Sequence, residues 1–205
     1  MKNQHQFDVE KLKTLVLYVC SKCEPTQLGA IKLHKTLYFS DMLFYAENGH
    51  PITGAIYRKR PLGPTCDAIL PIIRDLERDG DLEVTTVNYH GYLKKQFICK
   101  NTPDMTRIND REKLVVDEMI DFVCKNNTAK MISDLSHNRA WDHADFGDII
   151  TYSSVFKIFP NPVSLEALDW ASNEVKQIAA KPTSESVVRK PLSDLRASLY
   201  KESRA

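Results

Sequence analysis

His34, Tyr38, Asp41 and Tyr45 stand at i, i+4, i+7 and i+11, the spacing that aligns side chains along one face of a helix. An imidazole, two phenols and a carboxylate in one stripe are groups that can move protons or hold a polar ligand. Leu33, Leu37 and Phe44 form an adjoining apolar stripe, so the polar row is expected at a boundary between core and surface. Half-buried phenols and imidazoles must find hydrogen-bond partners. Two arrangements satisfy that need: an internal polar network made with Asp41 or His137, or a surface that touches a partner. Nucleophilic catalysis would require more, namely a nucleophile, a base and an orienting group joined by a local device. The chain has no G-x-S-x-G elbow and no H-E-x-x-H, and its seven glycines make no phosphate-cradling loop. Asp79/Asp81 and Asp142/Asp145 pair carboxylates only at turns and helix starts, where acids are common. His137-x5-His143 with Asp142 and Asp145 fits no usual ligand spacing. Cys20-x-x-Cys23 falls at the end of a helical run and has no second CxxC to complete a zinc site. No enzyme activity, metal or cofactor is expected.

The elements that must position these residues follow from periodicity. Val9, Leu12, Leu15, Val16 and Val19 predict a helix from Asp8 to Cys20. Glu24-Pro25 breaks it, Thr26 is the expected cap of a second helix, and Asn48-Gly49 is its stop. Ala55–Arg60 is short enough for a strand, and Pro61-Leu62-Gly63-Pro64 makes a rigid corner behind the basic run Arg58-Lys59-Arg60. A third helix is expected from around Asp67 to Asp79-Gly80, with Ile69, Ile72, Ile73 and Leu76 inward and Pro71 in its first turn. Leu82–Val87 and Tyr92–Ile98 flank Asn88-Tyr89-His90-Gly91 as a hairpin. Asn109-Asp110 opens a helix with Leu114, Val115, Met119, Phe122 and Val123 inward, and Thr128 caps another through Met131, Ile132 and Leu135. Leu165–Ile178 reads as a last helix. The expected class is α+β: a mainly helical single domain over residues 1–180, with a short strand and one hairpin in winged-helix-like order. A polar tail follows at 181–205.

The chain of 205 residues carries 42% hydrophobic and 27% charged residues, enough for one ordinary core and a soluble surface. No apolar run approaches the roughly 18 residues of a membrane span, and MKNQHQFDVEKLK has no apolar signal region. The expected location is the cytoplasm, with the five cysteines reduced. A net charge of +1 opposes wholesale attraction to nucleic acid. The tail holds six basic and three acidic residues, a local +3. A winged-helix-like regulator would use Lys94, Lys95 and the tail on DNA. Its recognition helix, however, pairs Arg74 and Arg78 with Asp75 and Glu77 and has no surplus positive charge.

Three segments carry a family resemblance. Lys32-Leu33-His34-Lys35-x-Leu37-Tyr38-Phe39 resembles a helix written "mKLqKLlYf", and Tyr57 with Gly63-Pro64 resembles the corner "a..yGPv.p". Ile132-Ser133-Asp134-Leu135-Ser136-His137-x3-Trp141 resembles the close "LSelsH..paW". Together they resemble the Panacea domain of SocA-like antitoxins from bacteria and their phages, over about residues 8–145. The run Arg58-Lys59-Arg60 is more basic than the pattern, Pro71 falls later than its proline, and residues 146–205 lie outside it.

The resemblance implies a mainly helical fold and direct binding to a toxin encoded nearby. Members face unrelated toxins, including enzymes of alarmone synthesis and membrane-active proteins, and one member instead delivers its toxin to a protease. The expected contact residues are His34, Lys35, Tyr38, Tyr45, Tyr57, Arg58, Arg60, Gly63 and Pro64. Asp41, Ser136, His137 and Trp141 are the expected supports. A protease is a further partner under the adaptor alternative, and DNA a secondary one.

Overall fold

The computed structural model describes residues 5–89 and 91–158. The expected last helix Leu165–Ile178 and the tail from Lys181 lie outside these. The described chain is α+β and mainly helical.

Helix α1 (Val9–Lys22) begins where Asp8 accepts a hydrogen bond from the Lys11 amide. Helix α2 (Ala30–Asn48) ends where expected, with Gly49 in the left-handed conformation (φ 75°). Its start differs from expectation: the cap is Gly29, not Thr26. The Gln27 and Leu28 amides both bond to the Glu24 carbonyl, so Thr26 is held in a separate turn.

The larger correction concerns the faces of α2. Every residue from Lys35 to Phe44 is buried, so only the ends of the expected boundary stripe, His34 and Tyr45, are half-exposed. A helix enclosed on all sides is a core element. Helices α1, α4 (Asp110–Ile120) and α5 (Ala129–Ser136) pack around it.

The chain leaves α2 into a small antiparallel sheet. Strands β1 (Tyr57–Arg58) and β2 (Thr65–Cys66) flank the Pro-rich corner, and β5 (Ile149–Ile150) adds to the other edge of β1. Tyr57 therefore sits between Cys66 and Ile150. Helix α3 (Ile69–Arg78) follows, with Pro71 in its first turn, where an amide would have no intrahelical acceptor. Ile69, Ile72, Ile73 and Leu76 are buried as expected.

Strands β3 (Leu82–Tyr89) and β4 (Tyr92–Cys99) form the predicted hairpin, in register from Leu82↔Cys99 to Tyr89↔Tyr92. At its turn, Gly91 takes φ 85° and its amide bonds to the Asn88 side chain. Helix α4 opens with a reciprocal capping box between Asn109 and Glu112, a device worth about 1 kcal/mol. Leu114 corrects the predicted inward face: it is exposed, and Val116 is buried in its place. The last turn widens to a π-turn (Asp121–Lys125) that leads toward α5. Helices α6 (Arg139–Asp142) and α7 (Val155–Ile158) complete the described chain.

Candidate functional site

The corner from Arg58 to Pro64 rests on side chains that rise from α2 and α5. Lys35 is 1% exposed, and its Nζ donates to the Pro64 carbonyl at 2.8 Å. Burial pulls this amine down to about 7, and among the described residues no carboxylate forms a salt bridge with it. Gly63, at φ 86°, passes directly over it: a Cβ here would lie 2.7 Å from Lys35 Nζ and collide with Ser136 Oγ. Ser133 Oγ donates to the Leu62 carbonyl at 3.3 Å, and Ser136 Oγ donates to the Ser133 carbonyl at 2.7 Å. The corner is thus held at three successive residues by two helices.

Its other side is closed by an aromatic stack. His137 and Trp141 pack with ring centroids 4.2 Å apart, and Trp141 Nε1 donates to the Arg60 carbonyl at 3.3 Å. Lys59 Nζ sits 3.8 Å from the Trp141 ring centre and donates to the Ala144 carbonyl. Burial lowers the pKa of His137, and the Lys35 charge adds to that. Arg58 bonds to Asp67 at 2.5 Å and to the Gly147 carbonyl at 3.0 Å, while Arg60 Nη2 lies 3.8 Å from the same Asp67. What protrudes is Leu62, 57% exposed, beside the exposed Arg60.

A second polar centre lies further along α2. Asp41 is fully buried and accepts bonds from the Thr53 amide (2.8 Å), the Thr53 hydroxyl and the Tyr57 hydroxyl (2.8 Å). Tyr152 reaches it at 3.4 Å while donating to the Ala55 carbonyl at 2.7 Å. Burial raises the Asp41 carboxyl against these opposing donors, and burial raises both phenols as well. Tyr45 lies beside Tyr152, His5 and Phe156 at the end of this cluster.

The stripe seen in the sequence therefore divides. Tyr38 packs its ring on Tyr57 at 5.3 Å, and its buried hydroxyl has only the neighbouring Asn138 side chain beside it among the described residues. His34 Nδ1 is likewise buried and unpaired, and desolvation lowers the ring to about 4, with Lys35 adding to the effect. An internal network exists around Asp41, but it takes Thr53, Tyr57 and Tyr152, not His137. Lys35, Tyr38, Tyr57, Gly63 and Pro64 are buried. Arg60 is exposed, and Arg58, His34 and Tyr45 are intermediate. The residues singled out as contacts and supports leave out Thr53 and Tyr152, and name Lys59 and Leu62 only as parts of the basic run and the corner. Leu62 was visible as an apolar residue at a Pro-Gly corner, whereas Tyr152 lies beyond the segment that resembled a family.

Residues 33–142, from the body of α2 through α6, match the family described as Antitoxin SocA-like, Panacea domain. The chain belongs to the Panacea-domain family. No curated protein and no solved structure matches it. The matched Panacea segment is narrower than the resemblance suggested, and α1 lies outside it. It contains the corner, both helices that hold it and the His137–Trp141 stack. Among the described residues of this Panacea protein, no cluster of His, Cys, Asp and Glu is arranged to hold a metal ion. None of its described helices is long and apolar enough to cross a membrane.

Proposed function

We propose that this chain is a cytoplasmic antitoxin that neutralises a co-encoded toxin by direct protein–protein contact, without catalysis. Membership of a SocA-like antitoxin family supports the role. The geometric observation that carries the contact is the Arg60-Pro61-Leu62 tip: an exposed apolar residue beside an exposed cation, on a backbone held by Lys35, Ser133 and Trp141. A preorganised tip loses little conformational freedom on binding, and a protruding leucine flanked by arginine suits the centre of an interface. In this reading Lys35, Tyr38, Tyr57, Gly63, Pro64, Ser136 and His137 shape the tip, and Arg60, Leu62 and the rim of Trp141 touch the toxin.

The experiment is co-expression with the product of the adjacent gene. That product alone should arrest growth, and this chain should restore it. Leu62→Asp should abolish rescue and complex formation while leaving the melting temperature unchanged. A neighbouring product that is harmless alone, or full rescue by Leu62→Asp, overturns the respective part of the proposal.

A further inference from the structure

A groove of ≈ 940 Å³ opens between the hairpin, the start of α2 and the start of α5. Lys32, Lys94, Lys95 and Lys125 line it from three separate elements, and among the described residues no aspartate or glutamate does. Two of these cations are anchored in place: Lys32 Nζ donates to the Cys124 carbonyl at 2.9 Å and Lys94 Nζ to the Thr26 carbonyl at 2.5 Å. Both acceptors are neutral carbonyls, so the charges are positioned without being cancelled. Burial, and then the Lys32 charge, lower the pKa of Lys94, as expected where like charges face one another. Lys125 also lines the groove, and its ammonium is paired with Asp121 at 2.6 Å, so it contributes less free charge than the other three lysines. The first turn of α2 has no side-chain cap and no acid, so its amides add to the positive potential.

The rim is apolar. Leu93 is 82% exposed, Tyr89 54% and Met131 43%. Met131 sits on α5, the helix that also reaches the corner through Ser133 and Leu62. Met131 and Ser133 stand two positions apart on α5, roughly 200° around the helix axis, so α5 links groove and tip from different sides.

We propose that this groove docks an acidic, amphipathic segment of the same toxin, with carboxylates on the lysines and apolar side chains on Leu93 and Met131. It rests on the antitoxin reading for the identity of the partner. Charge complementarity specifies the acidic residues, and the aliphatic rim specifies the apolar ones. The same rim disfavours a polyphosphate backbone, which has no aliphatic face to offer Leu93 and Met131.

Two measurements decide it. First, the full-length protein, isotopically labelled, is titrated with a synthetic peptide that carries glutamates and leucines at helical spacing. The Ala30, Ile31, Lys95 and Thr128 amide signals should shift, and binding should weaken as salt rises. A peptide with lysine in place of glutamate should leave them unmoved, as should the glutamate peptide with a K95E/K125E variant. No shift with the acidic peptide, equal binding of the basic one, or preferential binding of a duplex DNA oligonucleotide at these amides overturns the proposal.

Second, K95E/K125E should weaken the complex with the adjacent gene's product by about tenfold, since reversing exposed charges turns attraction into repulsion. An unchanged complex overturns the groove and leaves the antitoxin reading intact. Absence of any complex with the unaltered chain overturns the antitoxin reading, and the peptide titration still judges the groove.

Discussion

Replacing Lys35 by methionine should stabilise this protein at neutral pH and flatten its response to alkali. The amine is almost fully buried, its one hydrogen bond goes to the Pro64 carbonyl, and its pKa falls from 10.5 to about 7. Each pKa unit corresponds to about 1.4 kcal/mol, so the charged form carries a penalty of about 5 kcal/mol in the fold. Between pH 7 and about 10.5 the unfolded chain binds the extra proton, and stability therefore rises with pH. Below pH 7 both states are protonated and the full penalty applies. From pH 7 to pH 9 the penalty drops by about 2 kcal/mol. Methionine has nearly the same length and no charge, and it leaves the Pro64 carbonyl without a donor, at a cost of about 1–3 kcal/mol. The expected balance is a variant about 1–3 kcal/mol more stable at pH 7, with a looser corner and weaker toxin binding. Urea unfolding of both proteins at pH 7 and pH 9 measures it. If the variant gains as much stability between those pH values as the unaltered chain, Lys35 is not a buried titrating amine and the account of the corner fails.

Gly63→Ala should cost about 2–4 kcal/mol, because it combines a left-handed φ with a collision against Ser136 and Lys35; thermal unfolding would reveal it, and an unchanged melting temperature would show that the corner can shift. Asp41→Ala should destabilise by about 3–5 kcal/mol by stranding the Thr53 and Tyr57 donors, whereas Tyr57→Phe should cost only about 1–2 kcal/mol in the same denaturation assay.

Much of the fold was legible in local chemistry. The helix start at Asn109, the Asn48-Gly49 stop and the hairpin ahead of Gly91 each depend on residues close in sequence, and each appears in the structure. The small sheet was beyond reach as a unit, because two-residue strands show no alternation and Ile149–Ile150 joins Tyr57 across some ninety positions. The character of α2 was misread for a physical reason. His34, Lys35, Tyr38 and Asp41 are polar, and polar residues on a helix ordinarily mark its wet side. Here all but His34 are enclosed, and the partners that make this tolerable for Lys35 and Asp41, Pro64, Thr53 and Tyr152, lie outside the helix. Nothing in α2 itself signals them. Lys35, Tyr38 and Asp41 lie beneath the corner, whereas Leu62 is exposed at its tip.

The all-round burial of α2 separates two kinds of change that this chain can undergo. Substitutions between Lys35 and Phe44 are felt by the whole core, so this stretch is confined to a narrow set of sequences. Arg60, Leu62, Leu93 and Met131 stand outside that constraint, on a frame that does not depend on them for its shape. If the proposed contacts hold, exchanging only these tips would redirect the chain toward a differently shaped partner while its folding is left as it was. A scaffold built in this way lets recognition drift quickly over an interior that hardly moves.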